Sequence, residues 1–342
     1  MKTVLITGGA GFIGSNLVEW LFSRYPDYQI FVLDSLTYAG RLENIPDEIK
    51  ASPRFGFWHG NVCHSEIVHS LVERADVVVH LAAESHVARS IYDNRVFFET
   101  DVLGTQTVAN AVLRYQHTLE RFIHVSSSEV YGSAVVVPMR EDHPLNPTSP
   151  YAGAKAGADR LVSAYHLTYD IPAVIVRPFN TYGPRQHLEK VIPRFITRAL
   201  RDKPLTIHGD GTNTRDWMYV EDLCAALDRA MHADLSRIRG EAINVGTGRE
   251  ISVAEIAQTI VDRLEKPRSL IEYTGDRMGS LLRHCAATAK ASQLLGWAAH
   301  TAFDRGVERT IDWYAAHRDW WEGQVWMETV AVRTRDGSIV FY

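Results

Sequence analysis

Short apolar runs alternate with longer amphipathic stretches through the first half of the chain. Residues 4–6, 30–33, 55–59, 77–81, 122–125 and 173–176 read as strands, with helical periodicity between them. That alternation predicts a parallel sheet with crossover helices on both faces, a doubly wound α/β fold. Val4, Leu5 and Ile6 are aliphatic without interruption, as a strand covered on both sides requires. Two helical stretches are long, 95–114 and 149–169, and small or apolar on their sides. Such helices either cover the sheet or pair with their own copies, and the homodimer is the use we expect. Beyond position 178 the pattern changes. A Pro- and Gly-punctuated loop over 177–186 leads to a helix starting at Val191, then to a turn-rich segment over 205–217. Asn244-Val-Gly-Thr-Gly and Ile251-Ser-Val-Ala-Glu255 mark a further strand, turn and capped helix. We divide the chain into 1–178, a smaller α/β lobe over 179–330 with some segments returning to the sheet, and a tail over 331–342.

The first strand runs into Thr7-Gly-Gly-Ala-Gly-Phe-Ile-Gly14, where Gly9, Gly11 and Gly14 have the G-x-G-x-x-G spacing. One glycine permits the turn, one lets backbone approach a pyrophosphate, and one lets the helix lie close on the strand. A helix over 12–24 then aims its N-terminal amides and dipole at phosphates. Gly8, Gly11, Phe12, Ile13 and Gly14 are the candidate phosphate-binding residues, and the lobe is Rossmann-type. Asp34 ends the second strand, twenty residues past Gly14. A carboxylate there accepts from both ribose hydroxyls and repels a 2′-phosphate, which selects NAD over NADP. Asn61-Val62 follows the third strand, where the amide either meets an adenine edge or simply makes a turn. After the fourth strand, Leu81, Ala82 and Ala83 are small enough for a cofactor to press against backbone. Ser85, His86 and Arg89, next to Glu84, are placed to face a polar substrate at the carboxyl edge of the sheet.

Tyr151-Ala-Gly-Ala-Lys155 opens the second long helix, so phenol and ammonium share one helical face. A phenol with an ordinary pKa near ~10 is a poor base at neutral pH; a neighbouring ammonium and a positive nicotinamide both favour its phenolate. Tyr151 can then take a proton from a hydroxyl as hydride leaves the same carbon. Ser126-Ser-Ser-Glu-Val-Tyr-Gly132 leaves the fifth strand nearby and offers Ser127, Ser128 and Glu129. Arg215, Arg277 and Arg283 are candidates to grip a diphosphate bidentately.

The net charge of −5 and the absence of a basic tract give no case for nucleic acid. Cys63, Cys224 and Cys285 are odd in number and widely spaced, which suggests buried thiols of a reducing compartment. The chain starts directly into a strand and holds no apolar run of membrane-spanning length. The expectation is a cytoplasmic protein without metal. Tryptophans 297, 313, 320, 321 and 326 are read as packing or contact residues, since no basic groove accompanies them.

Together these motifs resemble the nucleotide-sugar branch of the extended short-chain dehydrogenase/reductase family, over nearly the whole chain to about Trp313. The stretches Asp34-Ser-Leu-Thr-Tyr-Ala-Gly-Arg-Leu-Glu-Asn-Ile45, Ala83-Glu-Ser-His-Val-Ala-Arg-Ser-Ile91 and Arg215-Asp-Trp-Met-Tyr-Val-Glu-Asp222 look most like the dTDP-glucose 4,6-dehydratase group. The resemblance implies an NAD-dependent hydro-lyase acting on a nucleotide-diphosphate sugar. It implies catalytic Ser127, Tyr151 and Lys155, and Glu129 as the base at sugar C5. It also implies substrate contacts from Asn180, Lys190, Val191, Arg215, Asn244 and Arg277. The chain departs from that group at Ser128, where an aspartic acid is expected to protonate the departing 6-hydroxyl, and at Ala88 and Ser280. A hydroxy residue, Ser and Glu in sequence look instead like GDP-mannose 4,6-dehydratases, a UDP-N-acetylglucosamine 4,6-dehydratase group and UDP-glucuronate decarboxylases, in the last of which Arg185 or Arg89 would anchor the carboxylate. A 4-epimerase acting through the same 4-keto sugar is the remaining alternative.

Overall fold

The computed structural model describes residues 1–275, 282–329, 331–333 and 339–341. Seven strands form one parallel sheet: β1 (Lys2–Thr7), β2 (Tyr28–Asp34), β3 (Phe55–His59), β4 (Val77–His80), β5 (Arg121–Val125), β6 (Ala173–Pro178) and the late β10 (Ala242–Val245). Their spatial order is β3-β2-β1-β4-β5-β6-β10. The strand order reverses direction between β1 and β4, so the crevice for a ligand opens there. All six strands read from the pattern are present, and β10 is the segment that returns from the second half.

The pleat sorts the aliphatic run of β1 into two cores. Val4 and Ile6 pack with Leu17, Val18 and Leu21 of helix Phe12–Arg24 and with Leu223 and Leu227 of helix Val220–His232. Leu5 points the other way, toward Val108 and Val112 of helix Thr105–Tyr115 and Val162 of helix Pro150–Tyr169. Ser149 caps the latter helix, its hydroxyl accepting from the Ala152 amide at 3.2 Å, and Pro150 occupies the first helical turn.

The stretch expected as one helix over 95–114 is wound in three parts, with α turns at Arg95–Phe97 and Thr105–Tyr115 and a π-helical turn over Phe98–Gly104 between them. One tertiary and one local hydrogen bond hold the wide turn. The Glu84 amide donates to Asp101 Oδ1 at 2.8 Å, and Thr105 Oγ1 donates to the Asp101 carbonyl at 2.5 Å. Thr105 Oγ1 also meets Nε2 of the buried His80, whose Nδ1 is 2.6 Å from Thr7 Oγ1.

The second half builds a three-stranded sheet, β7 (Asn180–Tyr182), β9 (Thr214–Tyr219) and β11 (Glu250–Ser252), with β9 central, and a parallel pair, β8 (Leu205–His208) with β12 (Ile271–Thr274). Helix Val253–Arg263 starts with the capping box expected from Ser252 and Glu255. Trp297 and Trp321 are buried, and Trp313 and Trp320 pack at the edges of cores. Trp326 is exposed, which leaves it the contact role and not the packing one. A hairpin pairs β13 (Ala331–Arg333) with β14 (Ile339–Phe341). Among the described residues, no helix is long and apolar enough to cross a membrane, and no group of metal-ligating side chains forms.

Candidate active site

One cavity lies along the carboxyl ends of β1, β2, β4 and β5 and is closed on its far side by residues 178–190. Its floor is the glycine turn. A Cβ on Gly14 would stand 2.1 Å from the Gly8 carbonyl oxygen, so only glycine lets the helix start this close to β1. Gly8, Gly11, Phe12, Ile13 and Gly14 all line the cavity. Among the described residues, the backbone N–H groups of Phe12, Ile13 and Gly14 meet no acceptor. Three unpartnered donors at a helix N-terminus fit the phosphates of a dinucleotide.

Asp34 lines the next section of the cavity, its two carboxylate oxygens accepting from the amides of Ala10 at 2.9 Å and Leu36 at 2.8 Å. Each oxygen keeps a lone pair for a ribose hydroxyl. Asn61 and Val62 also line the cavity, and Asn61 Oδ1 accepts from the Cys63 amide at 2.8 Å, so the turn role is realised. Leu81, Ala82, Ala83 and Ser85 complete this wall.

Ser127, Ser128, Glu129, Tyr151 and Lys155 converge on the same space. β5 delivers Ser126, whose hydroxyl donates to Asp159 at 2.7 Å, and a single 3-10 turn follows. Ser127 caps that turn, its hydroxyl accepting from the Glu129 amide at 3.2 Å. The Tyr151 amide donates to Ser90 Oγ at 3.1 Å, and its ring meets Phe97 edge-on at 6.3 Å. Burial drives the Tyr151 phenol well above its ordinary pKa; a hydrogen bond with Ser127 works the other way, while Asp101 and Glu129 add to the rise. The Lys155 ammonium is lowered by burial and sustained by Asp101 and Asp159, and it donates to the Val125 carbonyl at 2.9 Å. Lys155 thus holds backbone while the phenol is hydrogen-bonded with Ser127. Ser128 is buried, with its carbonyl oxygen 3.1 Å from His284 Nε2.

The substrate candidates divide. Asn180, Ser85 and Lys190 line the cavity, whereas Val191 starts the helix just beyond it. His86 caps helix Val87–Tyr92, its Nδ1 accepting from the Arg89 amide at 3.3 Å, and the Arg89 guanidinium lies 4.1 Å over the Tyr38 ring. Neither side chain is part of the cavity wall. Arg185 is drawn away from it. Its guanidinium donates to Asn16 Oδ1 at 2.7 Å, Glu19 at 2.6 Å and the Asn44 carbonyl at 2.9 Å. Asn244 is fully buried, accepting from the Tyr131 hydroxyl at 2.7 Å and donating to the Met139 carbonyl at 3.0 Å. Arg215 donates to the Thr214 carbonyl at 2.8 Å, outside the cavity wall. Arg283 is engaged by Glu250. Arg277 and Ser280 lie outside the described residues.

Sequence reasoning left Thr37, Tyr38, Gln186, His187 and Glu189 without a role, and all five line the cavity. Tyr38 sits in the Asp34-to-Ile45 stretch already singled out, and Glu189 immediately precedes Lys190. These neighbours were the available signal. Glu84 also faces the cavity, its carboxyl pushed up to about 7 by burial and by Glu189, with Arg89 opposing.

A glycine-floored crevice at the switch point of a parallel sheet, with a tyrosine and a lysine one helical turn apart on its wall, defines a short-chain dehydrogenase/reductase. A sequence model of the GDP-mannose 4,6 dehydratase family matches residues 5–310. The chain belongs to that family. It is 41% identical over 323 residues to dTDP-glucose 4,6-dehydratase of Actinoplanes sp., covering 93% of this chain and 99% of the relative. It is 43% identical over 312 residues to a low-salt glycan biosynthesis protein of Haloferax volcanii, covering 91% and 98%. A crystal structure of dTDP-glucose 4,6-dehydratase from Streptomyces venezuelae with NAD bound superposes with a TM-score of 0.89 at 40% identity, covering 94% of this chain and 99% of that one.

Proposed function

We propose that this chain is an NAD-dependent nucleotide-sugar 4,6-dehydratase that converts an NDP-hexose to an NDP-4-keto-6-deoxyhexose and water. The observation that carries this reading is the convergence of Tyr151 and Glu129 on one cavity with the dinucleotide cradle. When bound, NAD supplies a hydride acceptor that is regenerated within each cycle. Gly8, Gly11, the amides of Phe12 to Gly14, and Asp34 would hold it, with Leu81 to Ala83 against its ring. Tyr151 takes the proton of the C4 hydroxyl, with Ser127 orienting the phenol and Lys155 supplying positive charge nearby. The resulting 4-keto group acidifies the C5 proton, which Glu129 removes. Glu129, now a carboxylic acid, returns that proton to the C6 oxygen as water departs, and the proton that Tyr151 took from the C4 hydroxyl is the one left to restore C5 once the hydride is back at C6. A single carboxyl thereby fills the role left open by Ser128.

Asn180, Ser85 and Lys190 line the same cavity, which supports their contacting the sugar and diphosphate. The decarboxylase alternative needs a cation for the C5 carboxylate, and its two candidates, Arg185 and Arg89, are held outside the cavity wall. The 4-epimerase alternative leaves Glu129 without a task. We assign 1–178 to the cofactor half and 179–330 mainly to the substrate half. We also infer a homodimer formed through the two long helices, supported by exposed Val96, Phe98, Leu103, Leu167 and Tyr169 on them. Three free cysteines, Cys63, Cys224 and Cys285, suit a reducing compartment such as the cytoplasm.

Incubation with dTDP-, UDP-, GDP- and CDP-hexoses, followed by mass spectrometry, tests the reaction. Loss of water supports it, and loss of carbon dioxide or unchanged mass with altered chromatography overturns it. Tyr151→Phe is expected to lower kcat by about 100-fold or more. Glu129→Gln should stop water loss while C4 oxidation persists; a variant that still dehydrates at the full rate contradicts the role of Glu129.

A further inference from the structure

Three loops from different parts of the chain meet at the mouth of the cavity. The first follows β2 and carries Tyr38, the second follows β4, carries Ser85 and His86 and leads into the helix that holds Arg89, and the third carries His187, Glu189 and Lys190 from the second half. Glu189 is their common point. Its side chain is 2% exposed, and the Tyr38 hydroxyl donates to its Oε1 at 3.1 Å. Its Oε2 lies 3.4 Å from His86 Nε2 and 3.5 Å from His187 Nδ1, and Lys190 Nζ is 3.4 Å from Oε1. Lys190 also donates to the Ser85 carbonyl at 2.7 Å, which ties the third loop to the second. The Tyr38 ring also meets the Arg89 guanidinium at 4.1 Å and the His187 ring at right angles at 5.2 Å.

These contacts span the cavity. Tyr38 lies four residues beyond Asp34, on the loop that borders the proposed coenzyme ribose, while Glu189 belongs to the opposite wall. The hydrogen bond between the Tyr38 hydroxyl and the Glu189 carboxylate thus joins the loop after Asp34 to the 178–190 wall. The reaction returns its coenzyme to the starting oxidation state in each turnover, so coenzyme exchange serves no purpose between cycles. We propose that Tyr38 and Glu189 form a catch that retains NAD by joining the ribose-side loop to the substrate half; this rests on the dehydratase reading above. Both are positioning residues, acting through loop closure and not on the reacting atoms.

The test measures retention without substrate. Holoenzyme loaded with NAD is passed repeatedly through a desalting column, and the NAD left is assayed after denaturation. Tyr38→Phe keeps the ring and removes only the hydroxyl. Removing a hydrogen bond to a buried charged group predicts release about tenfold faster or more. Glu189→Gln should act similarly, and the double variant should lose little beyond either single one, because the two side chains act as a pair. Circular dichroism verifies that each variant is folded. Equal retention in wild type and Tyr38→Phe overturns the catch, as do strictly additive effects or a wild type that holds no NAD. Failure of the dehydratase reading shows separately, as no water loss from any sugar while retention still depends on position 38.

Discussion

Asp159 and Arg177 show what a single buried pair does beneath this site. Both side chains are almost wholly enclosed, and Arg177 donates to the two Asp159 oxygens at 2.8 Å each. Burial pushes the Asp159 carboxyl upward, but Arg177, Arg160 and Ser126 outweigh it and hold the carboxyl well below the usual range. Asp159→Asn leaves a buried guanidinium without its charge partner and is expected to cost about 3–5 kcal/mol, measured by urea unfolding at pH 7. Because the folded pKa is depressed, the stabilisation is present above the unfolded value of about 4 and is lost as pH falls through the folded one. Wild-type stability should therefore drop on acidification below about pH 4 more steeply than that of Asp159→Asn. That Tyr151 and Lys155 share one cavity wall was legible because the proposed chemistry demands a fixed helical spacing. Tyr38, Glu189 and the Asp159 pair were not, since their partners are distant in sequence and only packing joins them.

Among elements, the short turn after β5 is the one most sensitive to backbone shape. Gly132 ends it at φ +67°, and a Cβ there would lie 1.9 Å from the Asn146 carbonyl oxygen. Gly132→Ala must move the segment that carries Ser127 to Glu129. We expect a loss of about 3 kcal/mol, from strain and overpacking together, with water-forming activity falling further than stability alone explains. Thermal unfolding and turnover measured on the same preparation check both, and an unchanged melting temperature would contradict the strain. Strand positions and the helices at 12–24 and 149–169 followed closely from periodicity and capping residues. The π-helical turn at Phe98–Gly104 did not, because contacts with Glu84 and His80 hold it, and local propensity carries no trace of them.

At the scale of the molecule, the wound segment over 95–115 and the helix Pro150–Tyr169 leave apolar side chains exposed, which the proposed second copy would cover. Replacing Leu103 and Leu167 together by Glu is expected to convert a particle of about twice 38.5 kDa into one of 38.5 kDa by light scattering. A wild type that already runs at the smaller mass refutes the dimer. The return of a late strand to the large sheet was only loosely anticipated from the sequence, since a four-residue strand gives little periodicity. That return ties the two halves together. β10 lies against β6 over four register pairs, from Ala242 with Ile175 to Val245 with Pro178. A fragment cut after residue 178 would bare the flank of β6 and invite edge-to-edge aggregation. Chimeras that borrow a relative's specificity should therefore splice inside the second half and keep the native 242–245 segment, not exchange everything beyond the midpoint.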